Sequence, residues 1–209
     1  DTMPVACPNQ QYSVSFWTAF TGNATYQTVC NGLGGFKYPK YLIKIRDLAT
    51  GLTITQFTTS DITSNSWQQL GMKWVMPPGY TNVILELSNA GPGGCGNDFA
   101  IDDIQFGICT PLPTVSVGAG CVGLAQTFTS ALSDTTVVPG GRAYQWQISN
   151  SASGPWSNIG GATSSTYTIN PVTAADTGRY YRVIVAAAGN IGIPSCQYAS
   201  PGVLLSGKV

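Results

Sequence analysis

The 209-residue sequence contains no histidine and few charged residues. Without histidine it cannot form a Ser-His-Asp triad, a histidine general base or the usual zinc site, so we expect no enzyme activity. Charged residues make up 9% of the chain, against roughly 25% in an ordinary domain, and nine basic residues balance nine acidic ones. A chain with so few cations cannot neutralise a run of phosphates, which excludes nucleic acid as a partner.

The sequence also lacks long apolar runs. No stretch approaches the ~20 apolar residues that span a bilayer, and the first residues, DTMPVACPNQ, lack the charged and apolar regions of a signal peptide. We therefore expect a soluble mature form or a piece of a longer protein. Hydrophobic residues still account for 43% of the chain, which is enough for a core and argues against disorder.

The cysteines form no C-x-x-C pair and have no histidine beside them, which favours disulfides over a metal site. Disulfides persist in oxidising compartments, so we expect an extracellular or cell-surface protein. The six residues are Cys7, Cys30, Cys95, Cys109, Cys121 and Cys196.

The 25 glycines and 13 prolines divide the sequence into short runs rich in β-branched and aromatic residues. This pattern is typical of an all-β protein, and no helix of ordinary length is expected. Residues 12–20, 41–46, 68–76 and 83–87 alternate apolar and polar side chains, or at least repeat an apolar residue at every second position. Each run predicts a strand with one face on a core.

A pair of prolines in Cys109-Thr110-Pro111-Leu112-Pro113 separates two sets of strands. We place a domain boundary there, which gives a first domain of residues 1–110 and a second of residues 111–209. Both lengths fit the usual size of a domain.

The second domain resembles the immunoglobulin fold. Its predicted strands recur every 8 to 12 residues, Trp146 lies in the middle of YQWQ, and DTGRY at residues 176–180 matches the D-x-G-x-Y corner. Arg182 occupies the place of the second immunoglobulin cysteine, so we pair the remaining cysteines of this half, Cys121 and Cys196. The order of motifs closely resembles immunoglobulin-like modules of large Bacteroidota surface proteins, which implies a spacer or adhesive unit.

In the first domain, a predicted strand separates Cys95 from Cys109 by ~30 Å, whereas a disulfide needs Cα atoms within ~7 Å. These two cysteines should therefore not pair with each other. Two arrangements remain: Cys7–Cys109 with Cys30–Cys95, or Cys7–Cys95 with Cys30–Cys109. We favour the first.

Three carboxylates lie within six positions, at Asp98, Asp102 and Asp103. On a strand, Asp98 and Asp102 would share one face and Asp103 would point to the other. Crowded carboxylates suit Ca²⁺, which takes six to eight oxygen ligands. The alternative is that Asp98 ends the glycine-rich turn and the other two bind backbone N–H groups.

The first domain resembles the carbohydrate-binding-module or MAM-like jelly-roll domains of secreted Bacteroidota surface proteins, including gliding-associated adhesins. The resemblance rests on ACPNQQYSVSFW, PKYLIKIRD and the segment from SWQQLGMKW to FAIDDIQFGIC. It implies a jelly roll with a structural Ca²⁺ on the three aspartates. The family has strands before C-P-N-x-x-Y, so either the sequence is a fragment or another chain or segment completes the sheet.

Sugars stack on exposed aromatic rings that have polar neighbours, which makes five aromatic residues candidates for ligand binding. Alternation instead predicts core positions for Trp67 and Trp74. Two short segments resemble the D-S/T motif of Bacteroidota O-glycosylation and would carry glycans on Thr2 and Thr135. The five ligand-binding candidates are Trp17, Tyr26, Phe36, Tyr38 and Tyr80.

Together these features predict an all-β chain in which a jelly-roll sandwich precedes an immunoglobulin-like sandwich. The expected function is that of a non-catalytic, secreted cell-surface adhesin segment. Its first domain would bind a glycan or a surface protein, and its second would act as a spacer. The alternatives are a structural subunit of a surface filament or sheath, and an accessory region of a larger polysaccharide-degrading enzyme.

Overall fold

The computed structural model describes residues 2–4, 7–33, 35–118, 120–139 and 141–208. The chain divides into two compact units. The first comprises Asp1–Pro8 and Tyr12–Ile108, and the second comprises Asn9–Gln11 and Cys109–Val209. The division after Ile108 lies two residues before the end of the first domain expected from sequence, and the short segment Asn9–Gln11 was not expected in the second unit.

The first unit contains seven strands and one short helix within the described residues. The strands form two sheets, ordered β1-β6-β3-β4 and β5-β2-β7. The elements are β1 (Thr2–Pro4), β2 (Gln11–Phe20), α1 (Ala24–Asn31), β3 (Tyr41–Asp47), β4 (Thr53–Thr58), β5 (Gln68–Val75), β6 (Asn82–Asn89) and β7 (Phe99–Ile108).

The predicted alternation along β2 is confirmed. Tyr12, Val14 and Phe16 are buried, whereas Ser13 and Ser15 are only half-buried because they lie on the opposite face of the strand. The predicted strands at residues 41–46, 68–76 and 83–87 correspond to β3, β5 and β6. Strand β4 was not predicted from sequence.

Tyr41 connects the two sheets of the first unit. Its ring, on β3, lies edge-on to Phe16 of β2 and Phe99 of β7, with centroids 4.9 Å and 4.8 Å apart. Its hydroxyl lies 2.8 Å from the hydroxyl of Thr18, which also donates to the carbonyl of Ala100 at 2.8 Å. The buried phenol therefore has its hydrogen bond, and the sheets pack as a sandwich-like body.

Helix α1 is two turns long, an element that the sequence analysis did not predict. The side chain of Asn23 caps it by accepting a hydrogen bond from the N–H of Tyr26 at 2.9 Å. Cys30, in its last turn, is fully buried and forms a disulfide with Cys95, with Cα atoms 5.2 Å apart. This is the Cys30–Cys95 pair of the favoured arrangement.

The second unit is built from short antiparallel strands and one parallel pair. Its sheets are ordered β13-β10-β8 and β12-β11-β14-β15, with β16 also pairing with β14 and β17 pairing with β9. The strands are β8 (Pro113–Val117), β9 (Gly120–Cys121), β10 (Gln126–Leu132), β11 (Arg142–Ser149), β12 (Ser157–Asn158), β13 (Thr166–Ile169), β14 (Tyr180–Ala187), β15 (Tyr198–Ala199), β16 (Val203–Leu204) and β17 (Gly207–Lys208); a 3₁₀ turn spans Pro194–Cys196.

Trp146 lies in the core of the second unit, as expected. It is fully buried and its indole N–H donates to the carbonyl of Ser164 at 2.9 Å. The core side of β14 is formed by Tyr181 and Val183. Arg182 points away from this core, so a cysteine at this position would not have reached it.

Two of the expected disulfides are wrong, because Cys109 and Cys121 are free thiols. Cys121 is exposed on β9, whereas Cys196 is fully buried and disulfide-bonded. Cys109 packs beside Val137 in the second unit, so it does not pair with Cys7, which is itself disulfide-bonded. The pairs Cys121–Cys196 and Cys7–Cys109 therefore do not form.

The Cys30–Cys95 disulfide closes a loop with a sequence separation of 65 residues. Chain-entropy arguments give such a crosslink about 4 kcal/mol of stabilisation. We predict that replacing both cysteines by alanine lowers the free energy of unfolding of the first unit by about that amount in urea denaturation. Cys121→Ser is the control, and an equal loss there would contradict the prediction.

Tyr181 has a fully buried hydroxyl with no hydrogen-bond partner in the described part of the chain. Burial, with smaller contributions from Asp176 and Tyr167, raises the pKa of Tyr181 to about 12. In the unfolded chain this phenol ionises near pH 10. Between these two pKa values the unfolded chain loses the phenol proton while the folded chain keeps it. The free energy of unfolding therefore keeps its full value below pH 10, as far as this group is concerned, and falls as the pH rises towards 12.

We predict that Tyr181→Phe leaves stability at pH 7 unchanged or raises it by up to about 1 kcal/mol, because no hydrogen bond is lost. The variant should also lose less stability than the wild type between pH 10 and 12. Urea midpoints measured across this pH range test both statements. The neighbouring, half-buried Tyr180 provides the control Tyr180→Phe, and identical alkaline slopes in wild type and Tyr181→Phe would refute the assignment.

Candidate functional site

The structure does not bring the five predicted ligand-binding aromatics together. Phe36 and Tyr38 pack edge-on against each other and against Phe20, with centroids 4.9 to 5.4 Å apart. Gly96 lies against the ring of Phe36 so closely that an added Cβ would come within 2.4 Å of it. Phe36 and Tyr38 are therefore half-buried and pack within the first unit.

Tyr26 and Tyr80 lie on separate elements. Tyr26 projects from α1 and is 52% exposed, whereas Tyr80 is half-buried in the turn between β5 and β6. Trp74 is buried against Tyr12, as expected from the alternation. The core expectation for Trp67 is wrong: this residue precedes β5 and is 51% exposed.

Trp17 lies on the outward face of the β5-β2-β7 sheet and is 37% exposed. Directly opposite it on β7 is Asp102, which is also exposed. Two residues earlier on β2, Ser15 opposes Gln105 and accepts a hydrogen bond from the amide of Gln69 at 3.3 Å. An aromatic ring thus shares one sheet face with carboxylate, amide and hydroxyl groups.

A hollow lies between β2 and β5 on the same sheet as Trp17, and Gly71 is one of the residues that line it. An added Cβ at Gly71 would lie 2.2 Å from the carbonyl oxygen of Val14, so no larger residue fits without moving a strand. The hollow has a volume of about 390 Å³. Its polar lining includes Ser13, Ser15, Gln69 and Lys73.

The outward face of the other sheet is different in character. Arg46 donates to Glu86 at 2.9 Å and Lys44 does so at 3.4 Å. The hydrogen bonds from Arg46 and Lys44 hold the pKa of Glu86 below its usual value. These charged groups satisfy one another, so this face is a weaker candidate for a ligand than the face around Trp17.

The acidic segment forms a β-bulge. Opposite the two β2 residues Ser15 and Trp17 lie Gln105 and Asp102, which leaves one residue more on β7 than on β2 between them. Asp103, in this bulge, has φ of +48°, and its N–H donates to the carboxylate of Asp102 at 2.8 Å. The bulge keeps the carboxylate of Asp103 exposed where strict alternation would have turned it towards the core.

Asp98 lies just before β7 and is exposed, as are the other two aspartates. Among the described residues, no group of three or more His, Cys, Asp or Glu side chains is placed to hold a metal ion. The hydrogen bond within the bulge matches the backbone-bonding alternative for Asp102, whose carboxylate accepts from the N–H of Asp103. Calcium binding by the three aspartates stays a prediction.

Of the two expected glycosylation sites, Thr2 and Thr135, only Thr135 has a side chain among the described residues. Thr135 is exposed, in a turn where the carboxylate of Asp134 accepts hydrogen bonds from the N–H and hydroxyl of Thr136. It is therefore accessible to a modifying enzyme. The side chain of Thr2 lies outside the described residues.

The chain is an all-β protein whose antiparallel sheets form two sandwich-like bodies. Within the described residues, no helix is long and apolar enough to cross a membrane. Residues 118–200 match the family described as Domain of unknown function (DUF8696). No curated protein matches the sequence.

Two solved structures are similar over the whole chain at low identity. The adhesin domain of Epf from Streptococcus pyogenes has 10% identity and a TM-score of 0.40, and the match covers 100% of this chain and 72% of that one. The N-terminal CBM22-1-CBM22-2 tandem domain of Paenibacillus barcinonensis Xyn10C has 10% identity and a TM-score of 0.31, and the match covers 99% and 70%. Because both TM-scores are low, the function is inferred from the residues of the site and not from these two structures.

The bulge and the calcium hypothesis lead to different results for substitutions at Asp103. Because φ is positive there, we predict that Asp103→Gly keeps or raises the melting temperature, while Asp103→Val lowers stability by roughly 1 kcal/mol. Thermal melts with Ca²⁺ and with EDTA test this. A Ca²⁺-dependent rise in the wild type that Asp103→Gly abolishes would instead assign Asp103 to a metal site.

Proposed function

We propose that this chain is a non-catalytic recognition segment of an extracellular or cell-surface protein, and that its first unit binds a glycan on the face around Trp17. The observation that carries the proposal is the exposed indole of Trp17 on a strand, with Asp102 opposite it and the Ser15–Gln69 pair further along the same face. A pyranose ring stacks its C–H groups on such an indole and directs its hydroxyls to neighbouring polar groups.

The hollow above Gly71 extends this site along the sheet. Residues of one face of a strand repeat every second position, about 7 Å apart, so Trp17 and the Ser15 edge of the hollow are separated by about one sugar ring. A ligand stacked on Trp17 can therefore reach the hydroxyls and amide that line the hollow. An open, polar depression suits an oligosaccharide better than a compact apolar ligand.

The extracellular location is supported by the Cys30–Cys95 disulfide, since such bonds persist in oxidising compartments. The second unit would act as a spacer or adhesive neighbour of the binding unit. Its exposed Thr135 is consistent with the proposed O-glycosylation.

We predict that Trp17→Ala lowers glycan affinity at least tenfold, because the stacking surface is lost. Asp102→Asn should weaken binding less, since one polar partner is altered rather than removed. Glycan-array screening of the wild type identifies a binding oligosaccharide, and isothermal titration calorimetry then compares the variants.

Trp67→Ala is the matched control, because Trp67 is a more exposed tryptophan that lies off β2. Equal affinity of Trp17→Ala and wild type for a bound glycan would contradict the site. Loss of binding in Trp67→Ala alone would move the site to the loop before β5.

A further inference from the structure

The two sheets of the first unit leave a groove between strands β4 and β5. Within the described residues, β4 pairs only with β3, and β5 only with β2, so both are edge strands. The groove between them has a volume of about 350 Å³. Its lining includes Phe57 and Ile62 on one side and Leu70 on the other.

Phe57 faces the inside of the sandwich but remains 46% exposed. Its Cα partner on β3 is Ile43, which is fully buried, so both side chains lie on the inner face of the sheet. On the other sheet, Leu70 belongs to the inner-facing set of β5 and is also only half-buried. The inner layer of the sandwich is therefore open to solvent along this side.

The edges on the opposite side carry protective features. Strand β7 has Asp102, Asp103 and a bulge, and β1 is three residues long and ends in Pro4. Charges, bulges, prolines and short length are the devices that prevent a sheet edge from pairing with another chain. The described residues of β7 and β1 thus combine all four devices on that side.

Strand β4 lacks most of these features. Its sequence, TITQFT, has no charge, proline or glycine, and its one bulge lies at the Thr53 end. Beyond the strand, the N–H of Thr59 donates to the carbonyl of Tyr41 at 2.9 Å, and the N–H of Tyr41 donates to the hydroxyl of Thr59 at 3.0 Å. Residues 55–58 therefore form a regular, uncharged edge, whereas β5 carries the exposed Lys73.

The inner face of this edge has a palindromic pattern. Thr55, Phe57 and Thr59 follow one another on the same face, with the aromatic residue in the centre. An antiparallel pairing of two copies about Phe57 would place Phe57 opposite Phe57 and each Thr55 opposite a Thr59. Aromatic pairs are favourable cross-strand neighbours, so the Phe57 pair at the centre carries the contact; the hydroxyl of Thr59 is already bonded to Tyr41 and Ser60.

Charge also permits a second copy. The chain has a formal net charge of zero, so two copies do not repel each other as whole molecules. The charged pair nearest the groove, Lys40 and Asp61, is already neutralised at an N–O distance of 3.1 Å.

We propose that β4 is a dimerisation edge, which pairs antiparallel with β4 of a second copy of this chain across a two-fold axis at Phe57. The pairing continues the four-stranded sheet from one copy into the other and covers the exposed part of each Phe57 ring. Because the paired edge is short, the interface is smaller than the ~1,600 Å² of a standard complex, so we expect a weak dimer that is populated only at high protein concentration.

The test uses opposite charges at the two-fold axis. Phe57→Lys and Phe57→Glu each place like charges against each other, so sedimentation velocity should find both variants monomeric at concentrations where the wild type is dimeric. An equimolar mixture of the two should recover the dimer, because the introduced ammonium of one variant then faces the introduced carboxylate of the other. Tyr26→Lys, at a comparably exposed aromatic residue, is the control and should stay dimeric.

Circular dichroism melts test whether each variant folds. Recovery of the dimer in the mixture would show independently that both variants are folded. A wild type that remains monomeric at roughly 1 mM, the upper end of ordinary dissociation constants, would overturn the proposal. A wild-type dimer that persists in both Phe57 variants, or a mixture that stays monomeric, would do so too.

Discussion

The contact of Tyr41 with both sheets is the constraint on which the first unit depends. One phenol on β3 touches Phe16 of β2 and Phe99 of β7 and hydrogen-bonds to Thr18. Because Phe16 and Thr18 must both face Tyr41, the residue between them must face outward. The exposure of Trp17 is therefore a consequence of how the core is packed.

The sequence predicts those strands that bury one face. Along β2 and β3 the alternation is regular because every second residue enters the core, and the structure follows it. Strand β4 has no such signal, since five of its six residues are threonine, glutamine or the half-exposed Phe57, and neither face is fully buried. Because the inner face of β4 is not fully buried, the strand also lacks the apolar–polar alternation by which a sequence identifies a strand.

The acidic segment shows the limit of a strict two-residue period. Alternation places Asp103 opposite in direction to Asp102, which would turn a charge towards the core of a sandwich. The bulge resolves this conflict by adding one residue to β7, at the cost of a positive φ at Asp103. Spacing alone could not reveal it, because bulges change the register without a strong sequence signal.

Only part of the disulfide pairing could be predicted from the sequence. Excluding Cys95–Cys109 needs only the length of a strand, and the structure bears this out. Assigning Cys121 to Cys196 assumed that two cysteines of one domain must be neighbours. One of them is on an exposed two-residue strand and the other is fully buried, a difference of burial that counting cysteines does not reveal.

The second unit shows how a motif can be present without its usual consequence. DTGRYYRV resembles the immunoglobulin corner, yet Tyr181 and Val183 form the core side of β14, and Arg182 faces outward. There its guanidinium donates to Gln147 at 2.7 Å and lies 4.4 Å from the centre of the Trp156 ring. The apolar core around Trp146 packs residues of both sheets, such as Phe128 of β10 and Tyr181 of β14, against one another.

The two proposals for the first unit reinforce each other through geometry. A two-fold axis at Phe57 that continues the four-stranded sheet runs along the normal of that sheet, so equivalent faces of both copies point in the same direction. Two Trp17 sites would then face one surface together. Shallow sites for single sugars bind weakly, and paired sites on one rigid body convert the second contact into an intramolecular one. Weak dimerisation at an uncharged edge would thus raise the avidity for a surface that displays many glycans, where the local concentration of the protein is high.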